Sequence, residues 1–464
     1  MEETSFKINI ARTLHFLIKY NWIHNTQVTE LLKKRVLTNL PTEWLCHLQH
    51  LSNEEFNQLP YAGLKTFSKH TGLPTSLLEF LQTATTLSMD RTPPSEITEI
   101  NIDAFKASGM NPKKLHEVSR MAPFVNDIML EADCNLIVDV GSGLGYLDHI
   151  LHQQYGHSVI GLEVNECHIS SAERRASKQG LSCHCLKSMK FNITSDVECA
   201  QRFEEMIAQL APTILRGCEH AVTGKHKSQH DASCNEAPRP KVCLIGLHCC
   251  GDLTPAMMSF FHTVTCVRSL CCISCCYHKM MYSSGSFSKF PLSSTVKTQL
   301  SNVQKQNPSW QISPCTLRLG AQQTRASWRE QSVEDHKDHM KHVAFRALLE
   351  MAVGADFPEI RKRVRKCDFT SLSAFSDSFF HTDEKSTFYK DKLYELYAKY
   401  EQEINLIEFF TCLQVIVQPV VETLIYQDRL IWLLESGYQN SKVIPLFDDQ
   451  ISPRNLALVS YKSV

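Results

Sequence analysis

The chain has 464 residues, of which 43% are hydrophobic and 21% are charged, and its formal net charge is -1. This length predicts two or three packing units with a sizeable core, and the charge balance excludes a protein-wide basic field for nucleic acid. The N-terminal run MEETSFKINI lacks the basic and apolar segments of a secretory signal, so we expect the 19 cysteines to be free thiols in the cytoplasm or nucleus.

Residues 1–105 have the apolar periodicity of helices that are separated by polar turns. They contain no glycine-rich or metal-binding motif, and Cys46 is their only cysteine. We interpret this segment as an N-terminal helical domain that serves in packing or in the recognition of a partner protein.

Residues 106–300 alternate between short apolar runs and segments with helical periodicity. The predicted strands are NLIVDV, SVIGLEV, LSCHCL, KVCLIGLHCC and VTCVRSLCCISCC. Such a βαβαβ series implies a parallel sheet with right-handed crossovers. The polar run at residues 217–240 interrupts the series, and we predict that it is a flexible insertion.

Residues 301–440 return to helical patterns, and residues 441–464 contain two strand-like runs joined by a turn. We therefore predict a helical insertion and then an antiparallel hairpin that completes the core sheet. Within the insertion, Gln414, Gln418 and Glu422 form a polar stripe on an apolar helix, so we expect a buried helix and no membrane span. The predicted fold class is α/β, with a mostly parallel Rossmann-like sheet and two helical additions.

A glycine-rich turn follows the first predicted strand, which ends at Asp139. Gly141, Ser142, Gly143 and Gly145 form this turn, and a helix begins directly after it. The spacing D-x-G-x-G-x-G departs from the G-x-G-x-x-G of dinucleotide folds and is typical of class I methyltransferases, which bind S-adenosylmethionine (SAM). We predict that Asp139 and the turn hold the methionine part of SAM. The alternative is a structural strand-to-helix turn without a ligand.

The second predicted strand also ends in an acid, Glu163. A carboxylate at this position can accept hydrogen bonds from both ribose hydroxyls of a nucleoside cofactor. The alternative is an exposed carboxylate with no ligand. The two strand-end acids and the glycine turn together predict a SAM site.

A second group of polar residues follows the fourth and fifth predicted strands. Since ligands of open α/β sheets bind at the carboxyl ends of the strands, we predict a catalytic group there, with His248 as a general base or an orienting group for the methyl acceptor. Its other members are Asp252, Cys276, Tyr277 and His278. A structural histidine among buried cysteines is one alternative, and a zinc site is another. Adjacent residues on a strand point to opposite faces, so we expect Cys275 and Cys276 not to share an ion, and we predict no metal.

The run MNPKKLHEV precedes the first strand, and Asn111 and Pro112 favour a helix start there. Lys113, Lys114 and His116 are predicted to line the mouth of the cleft and to contact the substrate. The alternative is an ordinary solvated helix start.

Six ordered motifs resemble the methyltransferase-like protein 25 family: NPKKLHEV, VDVGSGLGYL, GLHCCGDL, CCISCCYHK, VVETLIYQDRL and SPRNLALV. The resemblance implies a SAM-dependent methyltransferase and leaves the acceptor open.

A wider similarity connects the chain to eukaryotic tRNA ribose 2′-O-methyltransferases. It rests on the H-x-C-G and C-C-x-H pair formed by His248, Cys250, Gly251, Cys275, Cys276 and His278. Residues 1–105 lack the N-terminal Cys/His zinc segment of that family. We predict methyl transfer to an oxygen or nitrogen of RNA. The alternatives are a protein acceptor and an inactive SAM-binding scaffold that uses its helical segments to contact a partner.

Overall fold

The computed structural model describes residues 2–61, 72–216, 239–322, 324–354, 360–380 and 384–462. The chain divides into two compact units. The sheet unit consists of Met1–Lys7, Asp90–Asn302 and Leu424–Val464, and the helical unit consists of Ile8–Met89 and Val303–Thr423. The predicted insertion at 217–240 lies outside the described residues except for its last two positions.

The sheet unit is built on seven strands in the order β3-β2-β1-β4-β5-β9-β8. Strands β1 to β5 pair in parallel, whereas β9 is antiparallel to both β5 and β8. The predicted α/β class with a C-terminal antiparallel hairpin is therefore confirmed. The strands are Leu136–Val140 (β1), Val159–Glu163 (β2), Leu186–Lys190 (β3), Val242–Cys250 (β4), Val267–Cys275 (β5), Tyr282–Ser283 (β6), Ser286–Phe287 (β7), Lys442–Pro445 (β8) and Leu456–Tyr461 (β9); β6 and β7 form a separate small hairpin.

Helices cover the sheet and make up the helical unit. Their bounds are Glu2–Lys19, Asn21–His24, Thr42–Leu48, Asn53–Gln58, Thr75–Leu87, Pro112–Glu131, Tyr146–Tyr155, Glu166–Lys178, Val197–Ile214, Leu253–Thr263, Ser294–Gln306, Pro314–Gly320, Thr324–Trp328, Val333–Val353, Ile360–Val364, Leu372–Phe379, Glu384–Ile404 and Ile407–Glu435.

The central strands are buried on both faces, which explains their unbroken apolar sequences. All five residues of β1 and of β2 are buried. Helix Pro112–Glu131 begins where the sequence predicts, because the Asn111 side chain accepts a hydrogen bond from Lys114 N at 2.8 Å and Pro112 takes the first helical position. This helix supplies residues to the site described below.

The third strand lies later than predicted. The alternating run LSCHCL at residues 181–186 contributes only its last residue, Leu186, to β3. The reason is the end of the preceding helix, where Gly180 is left-handed at φ 69° and Leu181 N donates to Ala176 O at 2.8 Å. Leu181 therefore belongs to a helix cap, and the chain needs several more residues to reach the sheet.

The helical unit joins two segments that are far apart in sequence. Its interior contains a polar group in which His336 bonds Glu408 Oε2 through Nδ1 and Asn57 Oδ1 through Nε2, both at 2.7 Å. His339 Nδ1 lies 2.6 Å from Glu408 Oε1. The segments predicted as an N-terminal domain and a separate insertion thus share one core, and the boundaries fall at Asp90, Asn302 and Leu424.

In the part of the chain that the structure describes, one helix, Ile407–Glu435, is long and apolar enough to cross a membrane. Its most apolar window is 94% buried inside the protein. Gln414 Nε2 donates to Ile23 O at 2.9 Å, which satisfies one member of the predicted polar stripe. The helix therefore has the burial expected of a core helix, as the stripe predicts.

Candidate active site

The glycine turn connects β1 to helix Tyr146–Tyr155. Gly141, Gly143 and Gly145 have φ values of 76°, 60° and 70°, a left-handed region that residues with a Cβ atom rarely adopt. Gly141 N donates to Leu162 O of β2 at 2.8 Å, and this bond holds the turn against the neighbouring strand. A Cβ atom at Gly141 or Gly143 would meet no atom closer than 3.9 Å. The turn therefore leaves room for a ligand above these two residues.

Two buried carboxyl groups lie beneath the turn. Asp139 is 3% exposed and Asp148 is 1% exposed. Apart from the hydrogen bond between the two carboxyl groups themselves, Asp139 Oδ1, Ser142 Oγ and both carboxyl oxygens of Asp148 have no hydrogen-bond partner among the described residues. Burial raises the pKa of Asp139 to about 6. Burial, and then the charge of Asp139, raises the pKa of Asp148 well above its usual range.

Gly161 of β2 makes this arrangement possible, and sequence reasoning missed it. A Cβ atom built on Gly161 would collide with Asp148 Oδ2 and would lie 2.7 Å from Ser142 Oγ. Asp148 and Ser142 therefore occupy the space that a side chain at position 161 would need.

Replacing Gly161 with alanine is expected to cost about 1–3 kcal/mol, because the new methyl group overpacks the turn. The midpoint of urea unfolding measures this loss. In an Asp148→Ala background the same change should cost less, since the nearest colliding oxygen is gone while the contact with Ser142 remains. Equal costs in both backgrounds would contradict the proposed collision.

Glu163 ends β2 as predicted and is 9% exposed. Its Oε2 accepts from Gly143 N at 3.0 Å, and its Oε1 accepts from Val164 N and Asn165 N at 2.8 Å and 3.0 Å. A carboxylate offers about four lone-pair positions, so three of them are occupied here. A ribose that bonds Glu163 through two hydroxyls must replace the bond from Gly143.

A cavity of about 620 Å³ lies beside Glu163, at the carboxyl ends of β2 and β3. Val164, which directly follows Glu163, is 55% exposed at its edge. An exposed apolar side chain beside a strand-end carboxylate can pack against a flat aromatic ring. The remaining lining residues are Lys190, Phe191, Asn192, Thr194 and Arg202.

His248 lies near the carboxyl end of β4 in an unusual backbone conformation. Its φ is 70°, and the pairing of β4 with β5 shifts by one residue between Leu247 and Cys249. His248 is therefore the extra residue of a β-bulge, a device that redirects a side chain out of the strand. Its side chain is 26% exposed.

The His248 ring pairs with Glu117, which sequence reasoning did not assign to the site. Nε2 of His248 lies 2.9 Å from both carboxyl oxygens of Glu117, whose side chain is 1% exposed. Ser452 Oγ donates to Glu117 Oε1 at 2.8 Å. Burial opposes ionisation of Glu117, but the hydrogen bond and charge of His248, with that of Lys114, lower its pKa to about 2. Glu117 is therefore a buried carboxylate that fixes one nitrogen of His248.

Of the three residues predicted to contact the substrate, the two lysines lie beside Glu117, whereas His116 bonds a different segment. Lys114 Nζ lies 3.2 Å from Glu117 Oε2, and Lys113 Nζ lies 3.9 Å from Glu117 Oε1. Burial raises the pKa of Asp139, and the positive charge of Lys114 partly opposes this rise. His116 instead accepts a hydrogen bond from Asp448 N at 3.0 Å. This hydrogen bond joins the His116 ring to the loop between β8 and β9. The contact does not support the prediction that His116 lines the mouth of the cleft.

Two of the predicted catalytic residues have structural partners. Tyr277 is fully buried, and its hydroxyl donates to Ser274 O at 3.3 Å, so the contact that the structure gives this hydroxyl is a structural one. Asp252 Oδ2 accepts from Met281 N at 2.9 Å, which joins the end of β4 to the loop after β5. His278 lies half-buried in the 3-10 turn Tyr277–Lys279 that leads to this loop.

Cys276, the remaining predicted catalytic residue, lies in a cluster of three cysteines. The Sγ atoms of Cys250, Cys275 and Cys276 lie within 4.8 Å of one another, and we call this group the thiol cluster. Strand β5 ends at Cys275, and Cys276 is left-handed at φ 49°. The expectation that Cys275 and Cys276 point to opposite faces is therefore wrong, because the strand alternation stops between them.

The strand order, the glycine turn after β1 and the acid at the end of β2 together define a Rossmann-like class I methyltransferase fold. Residues 113–283 match a protein-family model described as "Methyltransferase domain". Two relatives are named "Probable methyltransferase-like protein 25". The human protein is 22% identical over 469 residues, and the mouse protein is 22% identical over 467 residues. Each alignment covers 76% of this chain and 75% of the relative.

Among solved structures, the crystal structure of coclaurine N-methyltransferase bound to N-methylheliamine and SAH is 11% identical, covering 94% of this chain and 98% of that chain. Its TM-score of 0.25 is too low to support an argument. The family model and the two relatives confirm the predicted resemblance to methyltransferase-like protein 25. Residues 113–283 therefore form a methyltransferase domain, and this domain implies SAM as the methyl donor. The similarity to tRNA ribose 2′-O-methyltransferases is not among these findings.

The residues present fit this cofactor. The amino group of SAM is a cation with hydrogen-bond donors only, and Asp139 Oδ1 and Ser142 Oγ are acceptor oxygens beside the turn. Lys114 supplies a positive charge near Asp139 that suits the cofactor carboxylate. The turn is open where a ligand must approach.

Proposed function

We propose that this methyltransferase transfers a methyl group to a hydroxyl or amine of RNA, with His248 as the general base. The pairing of His248 with the buried Glu117 carries the proposal. An ionised carboxylate that accepts from Nε2–H leaves Nδ1 of the neutral ring as the basic nitrogen. Hydroxyl and amine acceptors must lose a proton when they are methylated, so a positioned base accelerates the reaction.

The cofactor side of the proposal uses the residues around the glycine turn. Asp139 binds the amino group, Lys114 binds the carboxylate, Glu163 binds the ribose, and Val164 contacts the adenine. When bound, SAM supplies an electrophilic methyl group. Helix Pro112–Glu131 carries both Lys114 and Glu117, so one rigid element positions the cofactor and the base. Such fixed placement accounts for much of a methyl transfer rate.

RNA is the preferred acceptor because Lys113 and Lys114 flank the His248–Glu117 pair, with side chains 33% and 29% exposed. Two lysines at the mouth of a cleft can contact phosphates while the base faces a ribose or nucleobase. The neutral net charge of the chain limits such contacts to a local patch.

The decisive experiment incubates the purified chain with methyl-labelled SAM and separated RNA and protein fractions. Label in RNA that depends on His248 supports the proposal. Label in protein alone would show that the acceptor is a protein and not RNA. SAM binding without methyl transfer to either fraction would show that the chain is an inactive SAM-binding scaffold.

If RNA is the acceptor, Lys113→Ala and Lys114→Ala are each expected to weaken RNA binding and to reduce the slope of log affinity against log salt by about one unit. Lys178→Ala is the matched control, because Lys178 is exposed at the far end of helix Glu166–Lys178. SAM affinity is measured first for each variant, so that loss of cofactor is separated from loss of RNA. Unchanged RNA binding in both site variants would contradict this placement.

A further inference from the structure

The thiol cluster has no role in the proposed methyl transfer, although it adjoins His248. Its members differ in exposure: Cys275 is buried, Cys276 is half-buried and Cys250 is exposed. Cys250 Sγ and Cys275 Sγ are 3.0 Å apart. This separation is too long for a disulfide, in which the sulfur atoms are about 2.05 Å apart.

The backbone assembles the cluster through two irregularities. The bulge at His248 shifts β4 by one residue, so that Cys250 pairs with Cys275 across the parallel ladder. Paired residues of neighbouring strands point to the same face of a sheet. The left-handed conformation of Cys276 then turns the third thiol back toward the other two.

The surrounding loop contacts hold this arrangement in place. Gly251 N donates to Cys275 O at 3.3 Å, and a Cβ atom on Gly251 would lie 3.0 Å from Lys279 O. Asp252 binds Met281 N on the far side of the same turn. The two strand ends that carry the thiols are therefore fixed to each other, as the preorganisation of a metal site requires.

We propose that Cys250, Cys275 and Cys276 bind a zinc ion. Zinc prefers tetrahedral thiolate ligands at about 2.3 Å, which places the sulfur atoms about 3.8 Å from one another. The separations in the cluster need only small side-chain rotations to reach this value. Soft thiolate ligands favour zinc over magnesium, calcium or manganese.

The site has three protein ligands. Among the described residues, no further histidine, cysteine, aspartate or glutamate belongs to the cluster, so the fourth position is open. An open position is the mark of a reactive zinc centre, whereas structural sites have four protein ligands. The exposed side of Cys250 gives a water molecule or a heteroatom of the acceptor access to this position. The inference does not depend on RNA being the acceptor.

Cobalt binding to the full chain tests the site without any activity assay. The protein is reduced, stripped with a chelator and titrated with Co²⁺, which gives thiolate-to-cobalt charge-transfer absorption when it is bound by cysteines. We expect one equivalent bound per chain, with displacement by Zn²⁺. Cys250→Ser and Cys276→Ser should each abolish this absorption or weaken binding at least about tenfold. Cys167→Ser is the matched control, because Cys167 is exposed and lies outside the cluster.

Three other results would contradict the proposed zinc site. Cobalt binding that survives both serine variants would place the metal elsewhere, and the absence of binding to reduced wild-type protein would exclude the site. A Cys250–Cys275 crosslink in unreduced protein, without metal uptake after reduction, would identify a redox pair instead. SAM titration and circular dichroism of each variant confirm that the fold survives the change, so loss of cobalt binding is not mistaken for unfolding.

Discussion

Replacing Asp139 with asparagine is expected to weaken SAM binding by about tenfold to a hundredfold. A hydrogen bond to a charged group contributes about 1.5–3 kcal/mol, and the variant keeps the shape of the side chain while it loses the charge. Calorimetric titration of wild-type protein and Asp139→Asn measures the difference. Asp127→Asn is the control, because Asp127 is an exposed carboxylate in helix Pro112–Glu131.

The same carboxyl group gives SAM binding a pH dependence. Because burial raises the pKa of Asp139 to about 6, SAM affinity in the wild type should rise as the pH increases through this value. The stability of the free protein should change in the opposite direction. A carboxyl whose folded pKa exceeds its unfolded value stabilises the fold at acid pH, and this contribution is lost as the pH rises through about 6. SAM should therefore raise the melting temperature more above pH 6 than below it. Equal shifts on both sides would exclude Asp139 as the partner of the ammonium group.

Replacing His248 with alanine is expected to lower methyl transfer by about a hundredfold to ten-thousandfold while SAM affinity stays within about twofold of wild type. The basic nitrogen is lost, whereas the glycine turn and Glu163 are untouched. Single-turnover transfer of labelled methyl groups measures the rate, and calorimetry measures the affinity. His15→Ala in the helical unit is the control, because this histidine is exposed.

Glu117 acts through His248, so its variants give a second test of this pair. Glu117→Gln should lower the rate less than His248→Ala does, and Glu117→Asp should recover part of it. In the double variant, Glu117→Gln should add little to His248→Ala, because residues that work as a unit are not additive. Full additivity, or a loss of SAM binding equal to the loss of rate, would assign Glu117 a structural role.

The candidate site residues that the sequence predicts most directly are those that lie in one short stretch of the chain. Asp139, the glycine turn and Glu163 are close in sequence, and the strand pattern fixes their position at one edge of the sheet. Glu117 could not be found in this way, since 131 residues separate it from His248 and its helical setting resembles a solvated surface. Gly161 gave no signal because its role depends on the side chains of two other elements.

The errors have equally specific causes. Strand alternation misplaced β3, because a buried helix cap at Leu181 imitates the pattern of a half-buried strand. The same rule wrongly separated Cys275 from Cys276, since it assumes an extended backbone that ends one residue earlier. Residues 8–89 and 303–423 pack together in one compact unit. Local periodicity cannot predict this packing, because the two segments are far apart in sequence.

The bulge at His248 separates the placement of the histidine from the placement of the thiols. In a regular ladder that kept every residue, the register from Leu247 onward would pair Cys249 with Cys275 and Cys250 with Cys276. A chain that lacked His248 would instead place Cys249 opposite Ser274 directly after Leu247, so Cys250 would still pair with Cys275. Deletion of this one residue should therefore leave the sheet and the thiol cluster assembled and remove the histidine alone.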